Sequence, residues 1–148
     1  MRETRVTLAD EAATSRLGRQ LAARARAGDV ILLEGPLGAG KSTLARAFIR
    51  ALAGDERLAV PSPTFTLVQV YETPRGEVWH YDLWRLEGPE GLAELGWDEA
   101  LEGGIVLVEW PGRLGKLAPD RALRLTLGMT ETGREAVLWG EERWGDGL

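Results

Sequence analysis

Gly35, Gly40, Lys41 and Ser42 stand at the spacing G-x-x-x-x-G-K-[ST], filled here by Gly35-Pro36-Leu37-Gly38-Ala39-Gly40-Lys41-Ser42. These residue types at that spacing suit the cradling of a phosphate chain. Glycine permits positive φ and lets the backbone come close to a ligand. Successive N–H groups then line a concave anion site at a helix N-terminus, where the helix dipole also favours negative charge. Lys41 is expected to reach the β- and γ-phosphates, the Ser42 hydroxyl to ligate Mg²⁺, and Thr43 to bond the α-phosphate. Pro36 removes one N–H from the loop, at its first variable position. One of only two lysines in the chain occupies the position that the pattern requires.

Phosphate chemistry of this kind needs an acid at the end of a neighbouring buried strand, to hold Mg²⁺ or to orient water. Ile105-Val106-Leu107-Val108-Glu109 has that form, and beside such a loop Glu109 is read as the metal-site acid rather than as a solvated strand end. Asp82 is the second candidate, within Trp79-His80-Tyr81-Asp82-Leu83-Trp84-Arg85. An acid in an aromatic-rich strand must be paired, hydrogen-bonded or functional. A bridge to Arg85 and a role at the site are both open. His80, the sole histidine, lies two positions from Asp82 and so on the same strand face. It is read as a partly buried structural residue. Pro61-Ser62-Pro63-Thr64-Phe65-Thr66 is either a rigid lead into a strand or a switch segment that brings a hydroxyl near the γ-phosphate.

The surrounding pattern supplies elements to hold these groups. Arg5–Leu8 reads as a short strand, and Asp10 as the N-cap of a helix that carries Leu17, Leu21 and Ala25 and ends at Gly28. Val30–Leu33 is apolar and too short for a helix, as expected of a buried parallel strand. A helix follows from Lys41 to Ala53, closed by Gly54. Thr64–Tyr71 and Glu77–Leu83 flank the turn Thr73-Pro74-Arg75-Gly76 and form a hairpin. An interrupted helical stretch runs from Pro89 to Leu101. Ala122–Leu127 and Ala136–Trp139 form two more strands, joined through Gly128–Arg134. Helices alternate with buried strands early, and hairpins come later. The fold expected is a single three-layer α/β domain over residues 1–148, with a mixed, mostly parallel central sheet and antiparallel hairpin strands. Residues from about 140 to 148 read as a loose tail.

Composition narrows the function. The chain has 148 residues, 44% of them apolar, which is enough for one core. No stretch approaches the ~20 apolar residues of a membrane span, and the start lacks an apolar secretory core. With no cysteine, a cytoplasmic setting is the expectation. A formal charge of -5, with 16 scattered arginines, disfavours direct, tight RNA binding. The absence of asparagine excludes the Asn-Lys-x-Asp element of guanine-specific proteins, so ATP is the nucleotide expected. No lid insertion of the small-molecule kinase type is visible.

Taken together, Gly35–Thr43, Ser62-Pro63-Thr64-Phe65-Thr66-Leu67-Val68, His80-Tyr81-Asp82-Leu83-Trp84-Arg85-Leu86, Glu94-Leu95-Gly96 and Val108-Glu109-Trp110-Pro111 resemble the bacterial TsaE family. The likeness runs from Asp10 to Gly133-Arg134-Glu135-Ala136. The resemblance implies a P-loop ATPase subunit of the threonylcarbamoyladenosine tRNA-modification machinery, weakly active alone. It implies two partners, a Kae1-type threonylcarbamoyl transferase subunit and its inactive paralogue (the TsaD and TsaB types), with tRNA met only indirectly. Hydrolysis would reset that complex between rounds of transfer to adenosine 37 of tRNAs reading ANN codons. By position, the resemblance implies that Leu37, Gly38, Ala39, Gly40, Lys41 and Ser42 bind the phosphates. Ser42 and Glu109 would hold Mg²⁺, Asp82 would lie at the γ-phosphate end, and Glu11 and Arg134 near the nucleoside. Ser42 stands where the family often has Thr, and Trp84 where Tyr is common.

Overall fold

A computed structural model describes the whole chain, Met1–Leu148. Its seven strands are β1 (Arg2–Leu8), β2 (Val30–Glu34), β3 (Val68–Thr73), β4 (Gly76–Asp82), β5 (Ile105–Glu109), β6 (Leu123–Thr130) and β7 (Gly133–Gly140). They form one sheet in the order β1-β7-β6-β2-β5-β4-β3. The four central strands β6, β2, β5 and β4 pair in parallel, while β7 and β3 attach antiparallel to them. β1 pairs antiparallel with β7 and so runs in the direction of the central four. The sheet is mixed and mostly parallel in direction, with hairpins toward both edges.

Alternation along the buried strands separates two cores. Ile31 and Leu33 of β2 and Ile105 and Leu107 of β5 face the helices α1 (Glu11–Arg24) and α2 (Lys41–Ala53). Val30, Leu32, Val106 and Val108 point the other way, onto Trp79, Tyr81, Leu92 and Trp97. Period-two side chains on a sheet covered on both sides require this, and each fully buried aliphatic contributes about 1.5–3 kcal/mol. The second cover is built of short 3-10 turns over Pro89–Gly91, Ala93–Leu95 and Pro111–Leu117, with α3 (Trp97–Leu101) among them. Here the interrupted helical stretch is accurate, because Gly96 at φ 74° breaks it.

α1 and α2 decide where the site lies. Asp10 caps α1 by accepting from the Ala13 N–H at 2.8 Å. Gly18 lets α1 press onto α2, since a Cβ there would lie 2.8 Å from the Leu44 carbonyl oxygen. The start of α1 is thereby held beside the start of α2.

Several strand ends lie a few residues from the sequence reading, with β1 starting at Arg2 rather than Arg5 and β7 at Gly133 rather than Ala136, and three further differences have a local cause. α1 stops at Arg24, with its C-cap at Ala25, and Gly28 instead bonds across to Gly104. β3 begins at Val68, because Leu67 takes a positive φ of 68° and its N–H returns to the Pro63 carbonyl. The expected loose tail is a correction. Residues 142–145 form α4 (Glu142–Gly145), Trp144 is only 2% exposed in the helix-side core, and Arg143 grips Asp29. A buried indole and a two-point ion pair anchor a segment that lacks any periodic signal.

Candidate functional site

The loop between β2 and α2 carries the sequence pattern into three dimensions. Gly38 and Gly40 take φ of 82° and 107°, where a side chain would be strained. Gly40 is also crowded, because a Cβ there would lie 3.3 Å from Thr14 Cγ2 and 3.6 Å from an Arg134 guanidinium nitrogen. Gly40 is the N-cap of α2 and has no side chain to bond the helix's first N–H groups. Those donors open onto a cleft of about 540 Å³. Lys41 is 92% buried yet lines this cleft, its Nζ 4.3 Å from the centre of the Trp110 ring. A cation over an indole is retained by the ring's negative face and stays available to a stronger anion.

Parallel pairing places the two acids side by side. Asp82 and Glu109 are register partners at the carboxyl ends of β4 and β5, next to β2 and its loop. Both are nearly buried, at 5% and 6% exposure. Asp82 Oδ2 accepts from Thr64 Oγ1 at 3.0 Å and Ser62 Oγ at 3.4 Å, and Oδ1 accepts from the Trp84 N–H. The bridge to Arg85 does not form, since Arg85 lies over the exposed Phe65 ring, 4.6 Å from its centre. Glu109 Oε2 is 2.8 Å from His80 Nε2.

Of the residues expected at the site, Glu11, Leu37, Gly38, Gly40, Lys41, Ser42, Thr43, Asp82, Glu109 and Arg134 all line the one cleft. Ala39 does not. Its side chain is buried beneath the loop, and its N–H is bonded to the Pro36 carbonyl at 3.2 Å. Glu11, at the first turn of α1, meets Thr43 across a long 3.5 Å contact. Ser62, Thr64, Trp84 and Trp110 complete the lining. The two hydroxyls come from the segment read as either strand lead or switch, and they point into the cleft through their bonds to Asp82. The Trp84–Trp110 pair, with centroids 4.5 Å apart, adds an aromatic wall beyond the residues expected from the sequence. Their positions after Asp82 and Glu109 on adjacent strand ends were the signal for it.

The donor set suits a hard cation that shares its shell with phosphate. Ser42 and Glu109 also meet at a second, small cavity of about 20 Å³. No trio of His, Cys, Asp or Glu converges on one point. A protein hydroxyl and one carboxylate, with remaining ligands from phosphate and water, is the usual arrangement for Mg²⁺ beside a nucleotide.

The buried strand, the glycine loop with its lysine, the helix N-terminus and the paired acids together define a P-loop nucleotide-binding domain. Comparison with known proteins narrows this further. The family model "Threonylcarbamoyl adenosine biosynthesis protein TsaE" matches residues 8–136, and the chain belongs to that family. A "tRNA threonylcarbamoyladenosine biosynthesis protein TsaE" from Rickettsia conorii is 43% identical over 104 residues, which cover 70% of this chain and 59% of that protein. The chain thus spans about three fifths of that relative's length. The Rickettsia bellii protein of the same name is 36% identical over 86% of this chain and 88% of its own length. The crystal structure of Bacillus subtilis YdiB superimposes with a TM-score of 0.73 at 28% identity, over 97% of this chain and 88% of that one. The fold and the family expected from the sequence are both borne out.

Proposed function

We propose that this chain binds ATP with Mg²⁺ in the cleft and hydrolyses it, as an accessory subunit for threonylcarbamoylation of adenosine 37 in tRNAs reading ANN codons. The observation that carries the reading is the convergence of Lys41, Ser42, Asp82 and Glu109 on one cleft at the N-terminus of α2. The N–H groups at that terminus bind the phosphates, and Lys41 leaves the Trp110 face to neutralise them. Ser42 and Glu109 hold the metal, which supplies charge neutralisation at the β- and γ-phosphates when bound. Asp82, with Thr64 and Ser62 bonded to it, stands ready to orient an attacking water. Glu11 and Arg134 flank the nucleoside end.

The relatives are named for tRNA threonylcarbamoyladenosine biosynthesis. Carried to this chain, that role calls for a Kae1-type transferase subunit and its inactive paralogue, with ATP turnover resetting their complex. A formal charge of -5 suits contact with proteins better than with RNA, so tRNA is met through the partners. No helix is long and apolar enough to cross a membrane, in keeping with work in the cytoplasm.

The test is labelled-ATP turnover with both partner proteins and tRNA present. Free phosphate and modified tRNA are expected with the natural chain, and neither above background with Lys41→Ala. A labelled small metabolite in place of free phosphate would mark a kinase instead. Phosphate release equal in both proteins would remove the site from the reaction.

A further inference from the structure

His80 is 2% exposed, and it is the one buried imidazole beside the site acids. Its Nε2 lies 2.8 Å from Glu109 Oε2. A carboxylate can only accept, so the shared proton belongs to Nε2. The other ring nitrogen, Nδ1, is buried and has no partner within the protein. The ring's only hydrogen bond within the protein is therefore the one from Nε2 to Glu109. The strand register explains why it reaches: His80 sits opposite Leu107, one strand repeat before the pair Asp82 and Glu109, on the same face. His80, Glu109, Ser42 and Ser62 border the same 20 Å³ cavity.

A glutamate that must present one oxygen to a cation has three rotatable bonds to restrain. A hydrogen bond to the other oxygen removes much of that freedom before the cation arrives. We infer that His80 is the positioning residue for the cation at this site: by holding Glu109 Oε2, it aims the carboxylate's second oxygen at the space beside Ser42. The inference rests on the reading of Glu109 as a metal ligand given above.

Mn²⁺ in place of Mg²⁺, followed by electron paramagnetic resonance of the free ion with a non-hydrolysable ATP analogue, tests this without turnover. His80→Phe keeps a ring and loses the donor. His80→Gln returns an amide donor at about the reach of Nε2. Mn²⁺ affinity is expected to fall about 10-fold or more in His80→Phe and to stay within about 3-fold of the natural chain in His80→Gln. Analogue affinity in chelator should be unchanged in both. If His80→Phe does not fold, His80→Asn replaces it, because its shorter amide cannot span to Glu109. Natural Mn²⁺ affinity in the donor-less variant, or equal loss with Gln, would overturn the inference and leave His80 a packing residue. Glu109→Gln separates the two claims: if it too keeps natural Mn²⁺ affinity, the fault lies in the ligand reading, and the role of His80 falls with it.

Discussion

The two ends of the central sheet handle charge in opposite ways. At the amino ends of the parallel strands, Asp29 and Arg143 satisfy each other through contacts of 2.6 and 3.0 Å. Arg143 also donates to the Arg24 carbonyl and lies over Trp144, 4.3 Å from its centre. Burial alone would lower its pKa, but the hydrogen bond and charge of Asp29, with Glu141, raise it on balance. At the carboxyl ends Lys41 has only a ring to rest on, while Asp82 is met by hydroxyls and Glu109 by one imidazole. No cation–carboxylate pair closes among Lys41, Asp82 and Glu109. One end pairs its charges within the chain, whereas at the other Lys41, Asp82 and Glu109 line an open cleft with no lysine–carboxylate or arginine–carboxylate pair among them.

That contrast can be broken from either end. The largest effect is expected from Lys41→Ala, which should lower ATP turnover by roughly 10²–10³-fold while thermal stability shifts little. Turnover near the natural rate would place the lysine outside the site. Trp144→Ala should cost about 3–5 kcal/mol in urea unfolding, by emptying a core position, and leave nucleotide affinity in the folded protein unchanged. A loss below ~1 kcal/mol would mean that the last turn of chain does behave as a tail. Arg143→Ala should cost about 1–2 kcal/mol, because the pair is partly exposed, again with no change in affinity. Coupling of either stability variant to nucleotide binding would dissolve the division between the two ends.

The smallest effect concerns pH. Burial, and then the charge of Glu99, hold the Tyr81 hydroxyl well above its ordinary pKa, and it donates to the Leu95 carbonyl at 2.9 Å. A raised pKa in the folded state leaves stability intact below the unfolded value of about 10 and erodes it as pH climbs further. Tyr81→Phe should lose about 1 kcal/mol at neutral pH and show a flatter decline between pH 9 and 11, read from urea midpoints. An unchanged alkaline slope would assign the decline elsewhere.

Much of this was legible along the chain. β2, the glycine loop and α2 follow from a four-residue apolar run, a spaced motif and a helix ending on glycine, all local signals. Glu109 was found for the same reason, at the end of a wholly apolar run. What stayed hidden depends on partners distant in sequence. The Asp29–Arg143 pair joins residues 114 apart, and no local pattern marks α4 for docking. The choice of Thr64 and Ser62 over Arg85 as partners of Asp82 needed the turn at Leu67, whose positive φ no residue type announces. The link from His80 to Glu109 spans 29 positions and exists only because β4 lies beside β5.

The proposed function rests on main-chain donors and one lysine at the carboxyl ends of the strands holding a nucleoside triphosphate. Isothermal calorimetry of the folded chain with ATP and Mg²⁺ tests this most directly. A saturable one-to-one heat that vanishes in Lys41→Ala is the result expected. Absence of heat on folded protein, or the same heat with and without Lys41, would contradict it.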